Sequence, residues 1–472
     1  MTSVPSVLEP ATDLEQGRLF LRIALVVGLL LRAAILWQTT NLGVTIVDEQ
    51  QYSQIADNLL AGNGFAWHPG DLTSIRPPLF PAMVAAIWAV AGPRNLQAVR
   101  AVQIVLALAL AGAVYLLGAR AYSRAVGRYA AAVCWLYPSF IFFNFLILTE
   151  TLFTLLLVVF LLCTVLLVQT PRASWALLCG VSLGLAALTR SVLWPLPIVL
   201  CPMLAVLMRA PLVRRIGLPL LVVAGYALVV APWAIRNTRL QGVVTVVDTM
   251  GGMNLRMGNY EYTPDDRMWD AVGLTGDKSW IHGIGDDLPG PGVTEGMKEK
   301  WAQKKALQYM RAHPGVTVRR SLIKFADLWG LEREFMAGVR SGLFAPPAWF
   351  AVLGSICIIG AYVAVSLAGA VGIWLAAPAD WRMQVVLLLP VLVIVAGHTI
   401  VFGHSRYHMP LVPVLAIYGT ALVAARWPVL GWRPAPAAIG AAATVTALMA
   451  IWVRQVVFVD LARIGSLLHN AG

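Results

Sequence analysis

Charge is the scarcest feature of this sequence, and its scarcity excludes an ordinary soluble domain. Only 12% of the 472 residues are charged, 59% are hydrophobic, and the mean hydropathy is +0.75. The five cysteines all lie in apolar runs without CxxC spacing, which indicates packing residues rather than a redox or metal motif. The sequence also lacks a glycine fingerprint of the dinucleotide-binding type and a soluble half large enough to bind a nucleotide.

Positive charge is in excess but is unevenly distributed. A net charge of +12 and a pI near 9.8 would suggest nucleic acid as the partner of a soluble protein. Many arginines, however, lie in short loops between apolar runs, where the positive-inside rule places them. All six lysines lie between Lys278 and Lys324. We therefore expect membrane lipids as partners, and no nucleic acid.

Apolar runs of spanning length recur from Leu19 to Val453 and predict an all-α polytopic membrane protein. The run Leu79–Val90 is too short for a crossing and predicts a juxtamembrane helix. If it crossed instead, the basic loop 120–128 would lie outside, against the positive-inside rule. From a cytoplasmic N-terminus we therefore predict about eleven transmembrane helices: Leu19–Trp37, Leu96–Gly118, Tyr129–Ile147, Thr151–Val168, Trp175–Leu188, Val192–Met208, Ile216–Ala234, Trp349–Ala376, Val385–Phe402, Pro410–Ala425 and Ala437–Val453.

Three parts follow from this pattern. Residues 1–235 form an N-terminal transmembrane module whose first outer loop, residues 39–96, carries juxtamembrane helices. Residues 236–345 are polar and rich in glycine, proline and aspartate, which predicts a small periplasmic insertion. Within it, Glu295–His313 is expected to form a helix on the membrane surface. Residues 346–472 complete the transmembrane part and end in a short amphipathic tail.

Six short polar or aromatic clusters all fall on the outer side of this predicted topology. Polar groups that collect at one interface of so apolar a chain indicate a functional site there. The clusters are Asp48-Glu49-Gln50-Gln51-Tyr52, Arg76-Pro77-Pro78, Leu148-Thr149-Glu150, Arg236-Asn237, the segment Gly251–Asn259, and His404-Ser405-Arg406-Tyr407.

The acidic residues allow a structural as well as a chemical interpretation. Asp48 followed by Gln51 fits a capping box at a helix start, which needs no chemistry. The chemical interpretation rests on the second carboxylate, Glu150, and on arginines at the same face. Asp48 could then act as a general base, while Glu49 or Glu150 orients a substrate or helps to bind a cation.

The arginine clusters also have two interpretations. Arg76 on a proline-stiffened turn, and Arg406 with Tyr407, are suited to gripping a phosphate in two places. Either could instead be an interfacial arginine that reaches for lipid head groups.

Two further motifs leave alternatives open. The segment Gly251–Asn259 either docks the insertion onto the helices or lines the site through Asn254. His404 and His408 have the spacing of metal ligands on one helical face, but Pro410 disfavours a continuous helix there. We therefore assign no metal ligands.

Together these residues resemble the GT-C class of membrane glycosyltransferases. They are similar to the bacterial family that includes the lipid A aminoarabinose transferases and, more distantly, to the protein O-mannosyltransferases. The resemblance covers most of the chain, and the order and spacing of its short motifs carry it. The motifs are Asp48-Glu49 with Tyr52, Arg76-Pro77-Pro78-Leu79, Leu148-Thr149-Glu150, Ala231-Pro232-Trp233 with Arg236-Asn237, the turn at Gly251–Asn259, and Arg406-Tyr407 with Pro410.

The resemblance implies inverting transfer of a sugar from a polyprenyl-phosphate donor to a lipid, glycan or protein acceptor at the outer face of the cytoplasmic membrane. It places the catalytic carboxylate at Asp48, which Glu150 would assist, and a phosphate-binding cation at Arg76. No cofactor is assigned, although a divalent cation stays open. Further residues expected to hold the donor phosphate are Arg406, Tyr407 and Arg236, and those expected to bind substrate are Glu49, Tyr52, Asn237 and Asn254.

The alternative function is a membrane transporter or a flippase for lipid-linked sugars. Such a protein should place ionisable residues near the membrane midplane, on broken helices in symmetric halves. Here the acids and arginines gather at one rim, and no internal repeat is evident. The pattern therefore favours the glycosyltransferase.

Overall fold

The computed structural model describes residues 11–265, 268–343, 345–424 and 435–461. Most of these residues are helical. The α-helices in this part of the chain are α1 (Ala11–Gln38), α2 (Val47–Leu60), α3 (Leu79–Ala91), α4 (Leu96–Ala121), α5 (Arg124–Leu136), α6 (Pro138–Phe143), α7 (Glu150–Gln169), α8 (Ala173–Ala187), α9 (Pro197–Leu207), α10 (Leu212–Gln241), α11 (Gly251–Met257), α12 (Ile284–Asp287), α13 (Glu295–Ala312), α14 (Pro314–Leu328), α15 (Glu334–Arg340), α16 (Ala348–Leu375), α17 (Trp381–Ile400), α18 (Val412–Ala424) and α19 (Ala435–Arg454).

Shorter elements complete the fold. The 3₁₀ helices are Ser191–Leu193, Met268–Gly273, Gly276–Lys278 and Ser405–Leu411, and a π-helical turn at Gln455–Asp460 follows α19. The strands β1 (Ala66–His68) and β2 (Asp71–Leu72) pair antiparallel, with Ala66 opposite Leu72 and His68 opposite Asp71.

Eight helices in the described ranges are long and apolar enough to cross a membrane. They are α1, α4, α7, α10, α16, α17, α18 with the 3₁₀ helix before it, and α19 with the turn after it. The predicted fold class, an all-α polytopic membrane protein, is confirmed. Three predicted spans are built differently: one is divided between α5 and α6, and two are the shorter helices α8 and α9.

Proline explains where two predicted spans depart from continuous helices. The predicted span Tyr129–Ile147 breaks after Leu136, where Pro138 starts α6, and the chain then runs irregularly until Glu150. The predicted span Val192–Met208 begins instead in the 3₁₀ helix Ser191–Leu193 and a turn, and its α-helix starts only at Pro197. Proline lacks a backbone donor and favours the first helical turn, so it begins these helices rather than continuing earlier ones.

The helix ends form two groups, which define the two ends of the bundle. At one end, the Tyr122 hydroxyl donates to the carbonyl of Ala376, and Gln169 donates to the carbonyl of Arg120. At the other end, the Leu79 N–H donates to the carbonyl of Leu188. This second end, called the site end below, holds the end of α8 and the starts of α3 and α7. The contacts fit the predicted alternation of the chain.

The segment between α1 and α4 packs two short helices, α2 and α3, against the bundle. Helix α3 has 13 residues and is about 20 Å long, shorter than a membrane core of about 30 Å. It buries Phe80 and Trp88, and the Phe80 ring meets Tyr52 of α2 edge-on at 5.2 Å. The length of α3 agrees with the predicted juxtamembrane helix.

The segment 236–345 docks on the site end through close backbone contacts. Helix α13 spans Glu295–Ala312, nearly the predicted range, and Gly296 at its start donates to the Gln241 side chain at the end of α10. The predicted glycine-rich turn forms α11, where a Cβ on Gly252 would lie 2.3 Å from the carbonyl oxygen of Glu299. This glycine therefore permits α11 to touch α13. Most of the predicted amphipathic tail, beyond residue 461, lies outside the described residues.

Candidate active site

An irregular segment at the site end, residues 144–149, places Glu150 at the start of α7. Backbone groups of such a segment need partners inside a membrane protein. Gln103 of α4 donates to the carbonyls of Asn144 and Leu146, at 3.2 and 2.7 Å, and Arg100 donates to the carbonyl of Phe145 at 2.9 Å. Both side chains are fully buried, so α4 holds the segment rigidly.

Glu49 belongs to this scaffold rather than to an open site. Its Oε2 accepts the N–H groups of Thr45 and Ile46, and its Oε1 accepts the N–H of Ile147. The side chain is buried, and it caps α2, which begins at Val47. The alternative capping box of Asp48 with Gln51 is therefore wrong, because Glu49 satisfies the helix start and leaves Asp48 free to face the site.

Asp48 meets Arg76 from the proline-stiffened turn. Arg76 Nη2 lies 2.6 Å from Asp48 Oδ1, and Arg76 Nε donates to the Gln51 side chain at 2.8 Å. The guanidinium also lies 5.4 Å from the centre of the Tyr52 ring. The structure therefore brings together Asp48, Arg76 and Tyr52, which the sequence placed in two separate motifs.

Arg406 links Asp48 to the second carboxylate. Its Nη2 lies 2.9 Å from Asp48 Oδ2, and its Nε lies 2.5 Å from Glu150 Oε1. The same Glu150 oxygen lies 2.5 Å from Nη2 of Arg190. Five groups thus form one chain of ion pairs, Arg76, Asp48, Arg406, Glu150 and Arg190, in which three cations face two anions. We call these five residues the ion-pair chain.

Arg190 is the member that sequence reasoning missed. It lies between α8 and the next 3₁₀ helix, donates to the Thr149 hydroxyl at 2.8 Å, and lies over the rings of Phe153 and Tyr407 at 5.6 and 5.9 Å. The available signal was a lone charge between two apolar runs, in a turn that the predicted topology places on the outer side. Tyr407 also stacks on His398 at 4.3 Å, so it forms part of the wall beside Arg190.

Two atoms of the ion-pair chain are left without hydrogen bonds. Among the described residues, Glu150 Oε2 and Arg406 Nε are buried and have no hydrogen-bond partner, although Arg406 Nε is close to the other Glu150 oxygen. An unsatisfied buried polar atom costs about 1–3 kcal/mol and calls for an explanation. A ligand that carries both donors and acceptors would supply the missing partners.

The electrostatics favour an ionised carboxylate at Asp48. Burial raises the pKa of Asp48, but the charges and hydrogen bonds of Arg406 and Arg76 outweigh burial and lower this pKa to about 2. Burial, with the charge of Asp48, raises the pKa of Tyr52 against the charges of the nearby arginines, so its phenol stays neutral. The site therefore offers a permanent anion between two permanent cations.

Arg236 and Asn237 brace the turn before Arg76 instead of joining the ion-pair chain. Arg236 Nη1 donates to the carbonyl of Thr73 at 2.6 Å, and its guanidinium lies 4.7 Å from the centre of the Trp233 ring. Asn237 is fully buried and accepts the hydroxyl of Ser74 at 3.0 Å. Their polar groups hold the backbone that presents Arg76.

Asn254 lies half-buried on α11, the helix that packs on α13. The contacts of α11 favour docking of the insertion over a part in the ion-pair chain. The neighbouring Asn259 donates to the carbonyl of Ile400 and accepts from Lys324, which ties the segment Gly251–Asn259 to the end of α17.

The two histidines after α17 do not form a shared metal site. His408 is fully buried, with Nδ1 at 2.7 Å from the carbonyl of Leu328 and Nε2 at 3.0 Å from Glu332. His404 faces a different carboxylate, Glu334, at 3.5 Å. Because both ring nitrogens of His408 contact protein groups, the metal pair that the spacing left open is excluded.

Comparisons with known proteins agree with this fold. A family model described as dolichyl-phosphate-mannose-protein mannosyltransferase matches residues 75–235, less than half of the chain. No curated protein matches the sequence. The apo form of the oligosaccharyltransferase from Archaeoglobus fulgidus is similar, with a TM-score of 0.52 at 16% identity, covering 94% of this chain and 55% of that chain.

Two further structures were also matched. The archaeal oligosaccharyltransferase AglB from Archaeoglobus fulgidus, in complex with an inhibitory peptide and a dolichol-phosphate, has a TM-score of 0.49 at 14% identity, over 92% of this chain and 55% of that chain. ArnT from Cupriavidus metallidurans in the apo state has a TM-score of 0.38 at 14% identity, over 84% of this chain and 77% of that chain. This chain spans about half the length of the oligosaccharyltransferase. The family match and the shared fold confirm the resemblance to the GT-C class that the sequence motifs predicted.

Proposed function

We propose that this protein is an inverting glycosyltransferase that moves a sugar from a polyprenyl-phosphate donor to an acceptor. The observation that supports the proposal best is the ion-pair chain, in which Asp48 lies between Arg76 and Arg406 at the site end of a membrane bundle. The family match, described as a dolichyl-phosphate-mannose enzyme, supports the same class of donor.

The proposed reaction is a single displacement at the anomeric carbon. Asp48 accepts the proton of the acceptor's nucleophilic group as that group attacks the sugar from the face opposite the phosphate. The bond between the anomeric carbon and the phosphate oxygen breaks, and its electron pair leaves with the polyprenyl phosphate. Arg76 and Arg406 stabilise the negative charge that develops there. One displacement inverts the configuration of the sugar.

Binding of the donor also makes Asp48 a stronger base. In the free site, two arginines hold the pKa of Asp48 near 2, which disfavours proton uptake. An arriving phosphate competes for the same guanidinium groups and adds negative charge beside Asp48, and both effects raise the carboxyl pKa. We therefore propose that proton transfer follows donor binding.

Glu150 and Arg190 complete the proposed site. Glu150 orients Arg406, and its unsatisfied Oε2 can accept a substrate hydroxyl. Tyr52 and Tyr407 form apolar walls beside the arginines. Glu49, Arg236 and Asn237 are assigned positioning roles, through the contacts described above, and Asn254 a role in docking α11.

A divalent cation, which the sequence left open, fits these residues poorly. A cation site needs several oxygen ligands without competing positive charge. Here each carboxylate of the ion-pair chain is contacted by two arginines. We therefore assign charge neutralisation at the leaving phosphate to the arginines and derive no step through a metal.

The remaining parts of the proposal concern location and acceptor. We place the site end on the outer side of the cytoplasmic membrane, because the arginine-rich loop 120–128 at the opposite end then lies inside. The acceptor is a lipid, glycan or protein that reaches this side.

Release of undecaprenyl phosphate tests the proposal whatever the acceptor is. Protein in vesicles would be mixed with a panel of undecaprenyl-phosphate sugars and an envelope extract, and the released carrier lipid measured by mass spectrometry. We expect release by the wild type and by Asp57→Asn, a matched aspartate of α2 that pairs with Arg94. Asp48→Asn should release the carrier about 10²- to 10⁴-fold more slowly, and release within about tenfold of the wild type would refute the base assignment.

A further inference from the structure

A third carboxylate, Asp248, lies beside the ion-pair chain on a rigidly held segment. Before it, the carbonyl of Val247 accepts the amide of Asn237 at 2.9 Å. After it, the N–H of Thr249 donates to the carbonyl of Ser74 at 3.1 Å. Because both neighbours are tied to the bundle and to the turn that carries Arg76, the position of Asp248 relative to Arg76 is fixed.

The Asp248 side chain is held at the junction of three outer segments. Its Oδ1 accepts the N–H of Met250 at 3.1 Å, and it is hydrogen-bonded to Ser191, the residue after Arg190. The residue is half-buried, and its charge interacts with that of Arg76. Asp248 thus contacts the residue after Arg190 and interacts electrostatically with Arg76, without belonging to the ion-pair chain.

The chemistry of Asp248 differs from that of Asp48. Among the residues that the structure describes, Asp248 forms no salt bridge, whereas Asp48 forms two. Burial raises the pKa of Asp248 to about 6. The hydrogen bonds from Ser191 and Met250 and the charge of Arg76 lower this pKa, but burial outweighs them. The negative charge of Glu299 raises the pKa of Asp248 further. The Asp248 carboxylate is half-buried with little opposing positive charge, so additional hydrogen-bond donors would stabilise it.

We propose that Asp248 binds the hydroxyl or amino groups of the donor's sugar while Arg76 holds the phosphate next to it. The proposal rests on the proposed function and extends it by naming a sugar subsite. Arg76 interacts with both Asp48 and Asp248. When the donor phosphate binds Arg76, Asp48 is available to accept the acceptor's proton, and Asp248 is available to bind the sugar. An ionised carboxylate only accepts hydrogen bonds, which suits a sugar ring rich in donors.

Comparing the affinity for the carrier lipid with the affinity for its sugar-linked forms isolates the contribution of the sugar subsite. Binding to protein in nanodiscs would be measured for undecaprenyl phosphate and for a panel of undecaprenyl-phosphate sugars that includes mannose and aminoarabinose. The wild type should bind at least one sugar lipid about tenfold more tightly than undecaprenyl phosphate, because charged hydrogen bonds to the sugar add affinity.

The variant Asp248→Asn should remove this gain and leave affinity for undecaprenyl phosphate within about threefold of the wild type. Asparagine keeps an oxygen that can accept the N–H of Met250, so the local turn is retained. Asp277→Asn, at a side chain that is 95% exposed in the same insertion, is the control and should retain the gain.

Several results would overturn the sugar subsite. One is a wild type that binds no sugar lipid more tightly than undecaprenyl phosphate. Others are an Asp248→Asn variant that keeps the full gain in affinity for the sugar lipid, or that binds both kinds of lipid equally more weakly. A further one is an Asp248→Asn variant that binds sugar lipids normally but releases no carrier lipid. The last result would make Asp248 the base. A wild type that binds no undecaprenyl phosphate would instead remove the proposed function itself, so the two failures are distinguishable.

Discussion

Replacing Asp48 by asparagine should separate donor binding from catalysis. The ion-pair chain contains three guanidinium groups and two carboxylates, so the substitution raises its net charge from +1 to +2. Arg76 keeps its bond to Gln51 and Arg406 keeps Glu150, so we expect the fold to survive. A phosphate on these arginines would then no longer face an anion.

The size of the effect follows from Coulomb's law. A unit charge about 6 Å from the phosphate contributes about 3 kcal/mol at an effective dielectric of about 20. Asp48 is 20% exposed, and screening by solvent and salt reduces the contribution to about 1–2 kcal/mol, or about five- to thirtyfold in affinity. Loss of a general base lowers the rate by about 10²- to 10⁴-fold.

The assay titrates undecaprenyl phosphate into wild type, Asp48→Asn and Asp57→Asn in nanodiscs, and measures carrier-lipid release in parallel. We predict tighter binding with almost no release for Asp48→Asn, and wild-type behaviour for Asp57→Asn. Weaker binding by Asp48→Asn would show that Asp48 does not face the phosphate. Release within about tenfold of the wild type would show that Asp48 is not the base, because a base contributes more.

Four other substitutions test the remaining assignments. Arg76→Ala should weaken undecaprenyl phosphate binding about ten- to a hundredfold, through loss of a charged hydrogen bond, and unchanged affinity in the same titration would argue against the phosphate role. Arg236→Ala should lower the Tm in detergent with a smaller effect on affinity, since its donors hold backbone carbonyls. Glu49→Gln should cost about 1–3 kcal/mol of stability, seen as a lower Tm with activity per folded molecule retained. Burial, with the nearby charge of Arg320, lowers the pKa of Lys324 to about 7. Between about pH 7 and 10 the unfolded chain therefore binds more protons than the folded one. The free energy of unfolding should rise with pH in this range, by up to about 1.4 kcal/mol per pH unit. Lys324→Met should flatten the rise of Tm between about pH 7.5 and 9.5, and an unchanged slope would contradict a neutral Lys324.

Hydropathy predicted the eight helices that are long and apolar enough to cross a membrane, because lipid demands long apolar runs. The same information does not predict where a pass is interrupted. The break after Leu136 depends on Pro138 and on partners for the irregular backbone of residues 144–149. Those partners are Arg100 and Gln103. In the sequence they are two polar residues within the apolar helix α4, and nothing there indicates which backbone groups they bind.

The candidate site was partly predictable for a similar reason. Scarce charges at one predicted interface identified Asp48, Arg76, Glu150 and Arg406, and these four residues do meet. Which carboxylate of the pair Asp48-Glu49 faces the site depends on where α2 starts, since neighbouring residues on a helix point about 100° apart. The sequence alone does not fix that start to one residue.

Asp248 and Arg190 were missed because the local signal at each residue is a single charge outside any recognisable motif. Asp248 is one acid in a polar insertion, and Arg190 is one charge between two apolar runs. Long-range contacts, of Thr249 with Ser74 and of Arg190 with Glu150, bring these two residues to the candidate site.

A structure determined by electron cryomicroscopy with undecaprenyl phosphate in nanodiscs would test the central claim most directly. We predict density for the phosphate at the site end, bonded to the guanidinium groups of residues 76 and 406, with the carboxylate of residue 48 displaced from at least one of them. Lipid phosphate density at the opposite end of the bundle, or an undisturbed ion-pair chain with the phosphate bound elsewhere, would contradict the account.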